Sequence, residues 1–195
     1  VVIVLIEKTA IMLTNKLNRN NIIEDDARDI YIYGFDLVIS AVINFALILV
    51  LAFLYGRPLD AVIYMLCTRP LRTNGGGWHA NTHGLCMTLH AAAFSLVSWL
   101  SFGIWEFMPW FVLFVIHAVS FIVVWVKAPV EHPNNPLEED AKGRMRLKCI
   151  VCMGLIMAVS IIFLVVGQQY VSVLMTLSAA SAVGTFLVPN KHEGS

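Results

Sequence analysis

The chain has 195 residues, 58% of them hydrophobic and 13% charged, with a formal net charge of zero and a mean hydropathy of +0.77. A water-soluble domain carries about 25% charged residues, so the composition names the bilayer as solvent and argues against a soluble globular enzyme. The balanced charge leaves no strongly basic face, and nucleic acid is not an expected partner.

Residues 1–20 carry Val2, Ile6, Thr9 and Leu13 on one helical face, with Glu7, Lys8, Asn15 and Lys16 elsewhere. This pattern predicts an amphipathic helix lying in the membrane interface. The chain begins Val1-Val2-Ile3, with no basic n-region and no small-residue cleavage site, so a removable signal peptide is not expected. Glu24, Asp25, Asp26, Arg28 and Asp29 then make a solvated connector.

Residues 31–55 read as a transmembrane helix, interrupted only by Asp36 and edged by Tyr31, Tyr33 and Tyr55 at the interfacial belts. Residues 58–71 are apolar but short, either a short crossing or a re-entrant piece, with Pro70 expected to end the helix. A loop is expected over 72–78. Apolar runs at about 85–105 and 107–126 follow, joined by so short a turn that they should be antiparallel neighbours. Residues 127–148 form the largest polar stretch, whose second half can start a helix running into the next span. Runs at 149–166 and 170–188 and a polar tail at 189–195 complete the chain.

The expected fold is therefore all-α: a polytopic transmembrane helix bundle of five or six membrane segments with an N-terminal interfacial helix. One integral membrane domain covers 1–195, with 1–30 interfacial, 31–188 the bundle and 189–195 the tail. Basic residues cluster at Arg69 and Arg72, at Lys127 and 142–148, and at Lys191, while the turns at Glu106 and Gln168-Gln169 carry none. The basic regions fall on one side, which is cytoplasmic by the positive-inside rule. If 58–71 crosses, there are six crossings and a cytoplasmic N-terminus; if it re-enters, there are five. Lys8, Lys16, Arg19 and Arg28 favour six.

The chemistry-bearing stretch runs from Arg72 through Gly75-Gly76-Gly77-Trp78-His79 to Cys86. A thiol beside an imidazole can become a thiolate and attack a carbonyl. On one continuous helix His79 and Cys86 share a face but lie roughly 10 Å apart along the axis, too far for a direct hydrogen bond. The glycines permit a break, so His79 is expected on the loop, folded over the first turn of the helix that carries Cys86. The competing reading is a packed membrane cysteine with a capping histidine.

His79, His83, Cys86 and His90 also fall on one helical stripe, which leaves open a metal-dependent enzyme. The stripe lacks the Glu of an H-E-x-x-H motif, and a polar stripe facing protein interior is the plainer account. His83, one turn from Cys86, is a rival base. Cys149 and Cys152 match C-x-x-C without its usual context, Cys67 reads as packing, and no disulfide scaffold is expected. Arg69 and Arg72 can anchor the membrane edge or hold a substrate carboxylate. A small transporter or channel component is the remaining alternative.

With these residues laid out, the chain resembles the AgrB family of bacterial membrane cysteine endopeptidases. The resemblance rests on Arg72, Gly76-Gly77-Trp78-His79-Ala80 and Cys86, and on Ala128-Pro129-Val130-Glu131-His132-Pro133-Asn134 after a hydrophobic pair. It covers essentially the whole chain. It implies processing of an AgrD-type precursor of a cyclic autoinducing peptide used in quorum sensing, with His79 and Cys86 as the catalytic pair. It gives His83 and His90 no role. Backbone N–H groups of Gly75, Gly76, Gly77 and Trp78, or the helix N-terminus, are expected to stabilise the oxyanion. Arg69, Arg72 and the basic 142–148 segment are expected to grip the acidic tail of the precursor. No cofactor and no metal are expected; the partners are the precursor peptide and the lipid bilayer, and a homodimer is left open.

Overall fold

The computed structural model describes residues 2–20, 22–76, 83–130 and 139–188, with backbone alone at 2–5, 25 and 83. Its elements in chain order are α1 (Val2–Arg19), a 3-10 turn (Asp25–Ala27), α2 (Arg28–Leu54), α3 (Pro58–Gly75), α4 (His83–Ile104), α5 (Trp110–Lys127), α6 (Glu139–Val165) and α7 (Gln169–Gly184). The fold is all-helical among the described residues. Four helices are long and apolar enough to cross a membrane: Arg28–Leu54, Gly84–Ile104, Trp110–Lys127 and Glu139–Val165. Gln169–Gly184 is a shorter apolar helix. Their outward faces carry large hydrophobic side chains such as Phe53, Trp99, Trp125 and Ile162, as a lipid solvent requires. The protein is thus a multi-pass membrane protein.

Contacts divide the chain into two compact units, Val1–Leu51 with Ala80–Ala91, and Ala52–His79 with Ala92–Ser195. In the first unit the buried stripe of α1 is Ile6, Ala10 and Thr14, spaced four apart on one face. It lies one position along from the Thr9–Leu13 face expected from sequence. The small Ala10 and the Thr14 hydroxyl, which donates to the Ala10 carbonyl at 2.9 Å, sit fully buried there. Lys8, Lys16 and Arg19 stay exposed. Arg28, at the start of α2, donates to Asn15 Oδ1 through Nε and Nη2 (3.3 and 3.1 Å).

In the second unit α3, α5 and α6 pack around α7. α7 is rich in small residues, and Ser172, Ser178, Ala179 and Ala182 let the neighbouring helices approach closely. Ser178 and Ser181 donate to carbonyls of α7 itself, while Ser172 and Thr176 also meet other helices. Ser160 Oγ shares a hydrogen bond with Ser172 Oγ (2.8 Å), and Thr176 Oγ1 with His117 Nε2 (3.0 Å). The core beneath joins Cys67, Leu71, Val124, Cys149, Met153, Ala179 and Phe186. Cys67 is therefore a packing residue, and all four cysteines are free thiols.

Two sequence expectations are corrected here. Pro70 does not end α3: the helix runs through it to Gly75. Stopping at Pro70 would strand more backbone groups in an apolar surrounding than one missing N–H does, and Asn74 Nδ2 donates to the Pro70 carbonyl at 2.8 Å. Accordingly Arg72 to Gly75 are the last turn of a helix and not a loop. At 18 residues, α3 extends about 27 Å, close to the hydrocarbon thickness of ~30 Å.

Candidate active site

The motif divides between the two units. Arg69, Arg72, Gly75 and Gly76 belong to the second, and Cys86 to the first. Gly77, Trp78 and His79 lie outside the described residues, as do Glu131, His132 and Asn134.

Cys86 is the fourth residue of α4, half-buried, in the turn whose N–H groups have no partner within the helix. The positive end of a helix dipole favours negative charge at such a position. Two residues on, the Thr88 hydroxyl donates back to the Gly84 carbonyl at 2.8 Å, typical of a hydroxyl inside an apolar helix. His83 opens the helix; its side chain and His79 lie outside the described residues.

In the second unit the end of α3 is tightly built. Arg69 and Arg72 stand one turn apart on its last turns, both half-buried. Gly75 is buried against the Phe186 ring, and a Cβ there would collide with that ring. Gly76 caps the helix with φ +68° and donates to the Arg72 carbonyl at 3.1 Å. Its ψ of −124° sets it apart from the usual left-handed glycine cap and places it in a conformation that glycine alone adopts readily. A Cβ on Gly76 would lie 2.5 Å from the Val130 carbonyl oxygen, so glycine is required by conformation and by space.

That close approach reflects a connection invisible in the sequence. Val130 N donates to the Gly75 carbonyl at 2.8 Å, and Gly76 forms a parallel bridge with Val130. The segment after α5 is thus docked on the glycine segment. It is held from the other side by Arg146 on α6, whose Nε donates to the Ala128 carbonyl at 2.9 Å. Cys149, a turn further along α6, points its thiol at the Leu71 carbonyl at 3.8 Å. Sequence reasoning saw both glycine and Ala-Pro-Val motifs but not that they pair, and read Arg146 only as part of a basic cluster. Lys142 of that cluster pairs with Glu139 at 2.7 Å.

No solved structure matches the chain. AgrB-like protein 2 of Clostridium perfringens (strain 13 / Type A) is 24% identical over 148 residues, covering 73% of this chain and 69% of its own. The AgrB-like protein of Clostridium perfringens (strain SM101 / Type A) is 23% identical over 152 residues, with the same coverage of 73% and 69%. The model of Accessory gene regulator B matches residues 10–187, from within α1 to just beyond α7. The chain belongs to the AgrB family.

Proposed function

We propose that this protein is a membrane-embedded cysteine endopeptidase that cleaves the C-terminal region of a quorum-sensing propeptide and promotes its closure to a thiolactone. Family membership implies processing of an autoinducing-peptide precursor. The match over residues 10–187, which includes the glycine segment and Cys86, is the observation that carries the reading.

In this mechanism His79 takes the proton of the Cys86 thiol, and the sulfur attacks the carbonyl at the precursor's C-terminal junction. The peptide C–N bond breaks, His79 returns the proton to the departing amine, and the precursor remains as a thioester on Cys86. A cysteine of the precursor then attacks that thioester. Its thiol proton passes to the leaving Cys86 sulfur, and one thioester replaces another with little loss of driving force. Water must be excluded, or a linear acid forms. Backbone N–H groups of Gly77 and Trp78 or of the first turn of α4 stabilise the oxyanion, since Gly75 belongs to α3 and the Gly76 N–H is held by the Arg72 carbonyl. Arg69 and Arg72 hold acidic residues of the tail. Lys8, Lys16, Arg19 and Arg28 favour six crossings, with the N-terminus and the catalytic residues on the cytoplasmic side.

The test is reconstitution in liposomes with a synthetic AgrD-type precursor labelled on its tail. Cys86→Ala abolishes tail release, and Cys86→Ser leaves at most an ester or a trace of turnover. His79→Ala is inactive and His83→Ala active; the reverse pattern would make His83 the base. Activity that survives thiol alkylation but not chelation supports a metal-dependent enzyme instead. Solute flux that is independent of the thiol supports a transporter.

A further inference from the structure

Arg146 belongs to a basic cluster, and a grip on the precursor's acidic tail is the obvious reading of its charge. The geometry points elsewhere. α5 closes at Ala128, whose N–H donates to the Val124 carbonyl at 3.0 Å while its own carbonyl leaves the helix. Ala128 is fully buried, so that carbonyl needs a partner from the protein. Arg146 supplies it with Nε. A cationic side chain also suits the negative end of α5. Two residues later the Val130 N–H closes on Gly75, and Gly76 lies in parallel register beside it. His79 follows Gly76 by three residues.

We propose that Arg146 is a positioning residue for the peptidase reaction: by holding the Ala128 carbonyl it keeps residues 128–130 paired with Gly75 and Gly76, and so sets the path on which the chain leaves α3 toward His79. The inference rests on the catalytic role of His79 and Cys86 proposed above. Capping α5 is the first consequence of the bond and anchoring the glycine segment the second. The two are inseparable because only Pro129 stands between the held carbonyl and the Val130 donor.

Three substitutions separate a donor at the Nε position from a positive charge. Gln carries an N–H the same number of bonds from Cα as Arg Nε, Lys keeps the charge but not that donor, and Met has neither. Each variant is assayed for tail release from the labelled AgrD-type precursor in liposomes, with the exchange rate of the Val130 amide measured alongside. In Arg146→Met, kcat falls about 100-fold with KM nearly unchanged, the size of effect that a displacement of about 1 Å produces. Val130 loses protection in the same variant. Arg146→Gln restores both, and Arg146→Lys restores them poorly.

A charge grip gives the opposite order, with Lys active, Gln impaired and the loss in KM, and overturns the proposal. So does a Met variant with wild-type kcat, or one with lowered kcat and intact Val130 protection. If the Met variant does not insert, the Gln and Lys pair decides alone. Cys86→Ala runs in the same series. If it is inactive while Arg146→Met is normal, only the positioning role fails; if it is active, the catalytic reading fails first.

Discussion

The two ends of α3 are built on different principles. At its start, Asp60 is almost fully buried and accepts hydrogen bonds from Ser98 Oγ and from Tyr170 OH at 2.6 Å. Arg57 donates to the Ser98 carbonyl at 3.2 Å and lies over Trp99 and Phe102, with its guanidinium 4.8 and 3.8 Å from the ring centroids. Tyr55 and Ser95 share a hydrogen bond at 2.8 Å, and Gln169 donates to the carbonyls of Trp105 and Met108. Side chains from α3, α4 and α7 make this closed polar lock. At its other end, about 22 Å away along the helix, Gly75 and Gly76 are held by backbone bonds to 128–130. Side-chain locks fix helices against each other. Backbone pairing fixes where a connecting segment begins, which is what the catalytic role proposed for His79 requires.

A pair of glycines states the difference sharply. Gly56 and Gly76 share a positive φ, +69° and +68°. A Cβ on Gly56 meets nothing within 4 Å, whereas one on Gly76 meets the Val130 carbonyl.

The largest expected effect that tests the comparison is the complete loss of tail release in Cys86→Ala, read by mass spectrometry of the precursor. It establishes that the Cys86 thiol serves chemistry, without which the two ends of α3 cannot be compared by activity. Next, Gly76→Ala lowers kcat at least about tenfold, because the strain of a positive φ, about 1–3 kcal/mol, is joined by a clash with backbone that cannot turn aside. Gly56→Ala carries the strain alone and leaves kcat per folded molecule unchanged. Equal losses of activity in both would erase the distinction between the ends.

Asp60→Ala lowers the thermal midpoint in detergent. Ser98 and Tyr170 each lose a buried acceptor, at about 1–3 kcal/mol for a polar group left unsatisfied. Catalysis by the surviving folded fraction stays normal. A variant that melts normally but no longer processes precursor would move function to the polar lock. The smallest effect is that of Tyr55→Phe, about 0.5–1.5 kcal/mol for one hydrogen bond at the edge of the same network, visible in the melt and absent from the kinetics.

Much of this was legible in the chain itself. Runs of apolar residues long enough for a bilayer declared the crossing helices, because no other element satisfies its own backbone in lipid. The second half of the 127–148 stretch was readable as the start of α6 from acids preceding bases. The glycine segment and Cys86 stood out because three consecutive glycines suit a helix interior poorly and lead to a histidine seven positions before a thiol. The sequence misled at Pro70, where local propensity favours a stop and the packed surroundings of α3 favour continuation.

The sequence by itself thus determined the helical class, the membrane as solvent, and the residues that resemble a thiol peptidase. All of these follow from composition and short-range pattern. Only the tertiary structure decided that Gly76 meets Val130, that Phe186 covers Gly75, that Arg146 holds Ala128, and that Asp60 is shared by Ser98 and Tyr170. Each of these joins residues from different helices or their connections. Such pairings depend on how the helices pack, and no periodicity along a single segment encodes them.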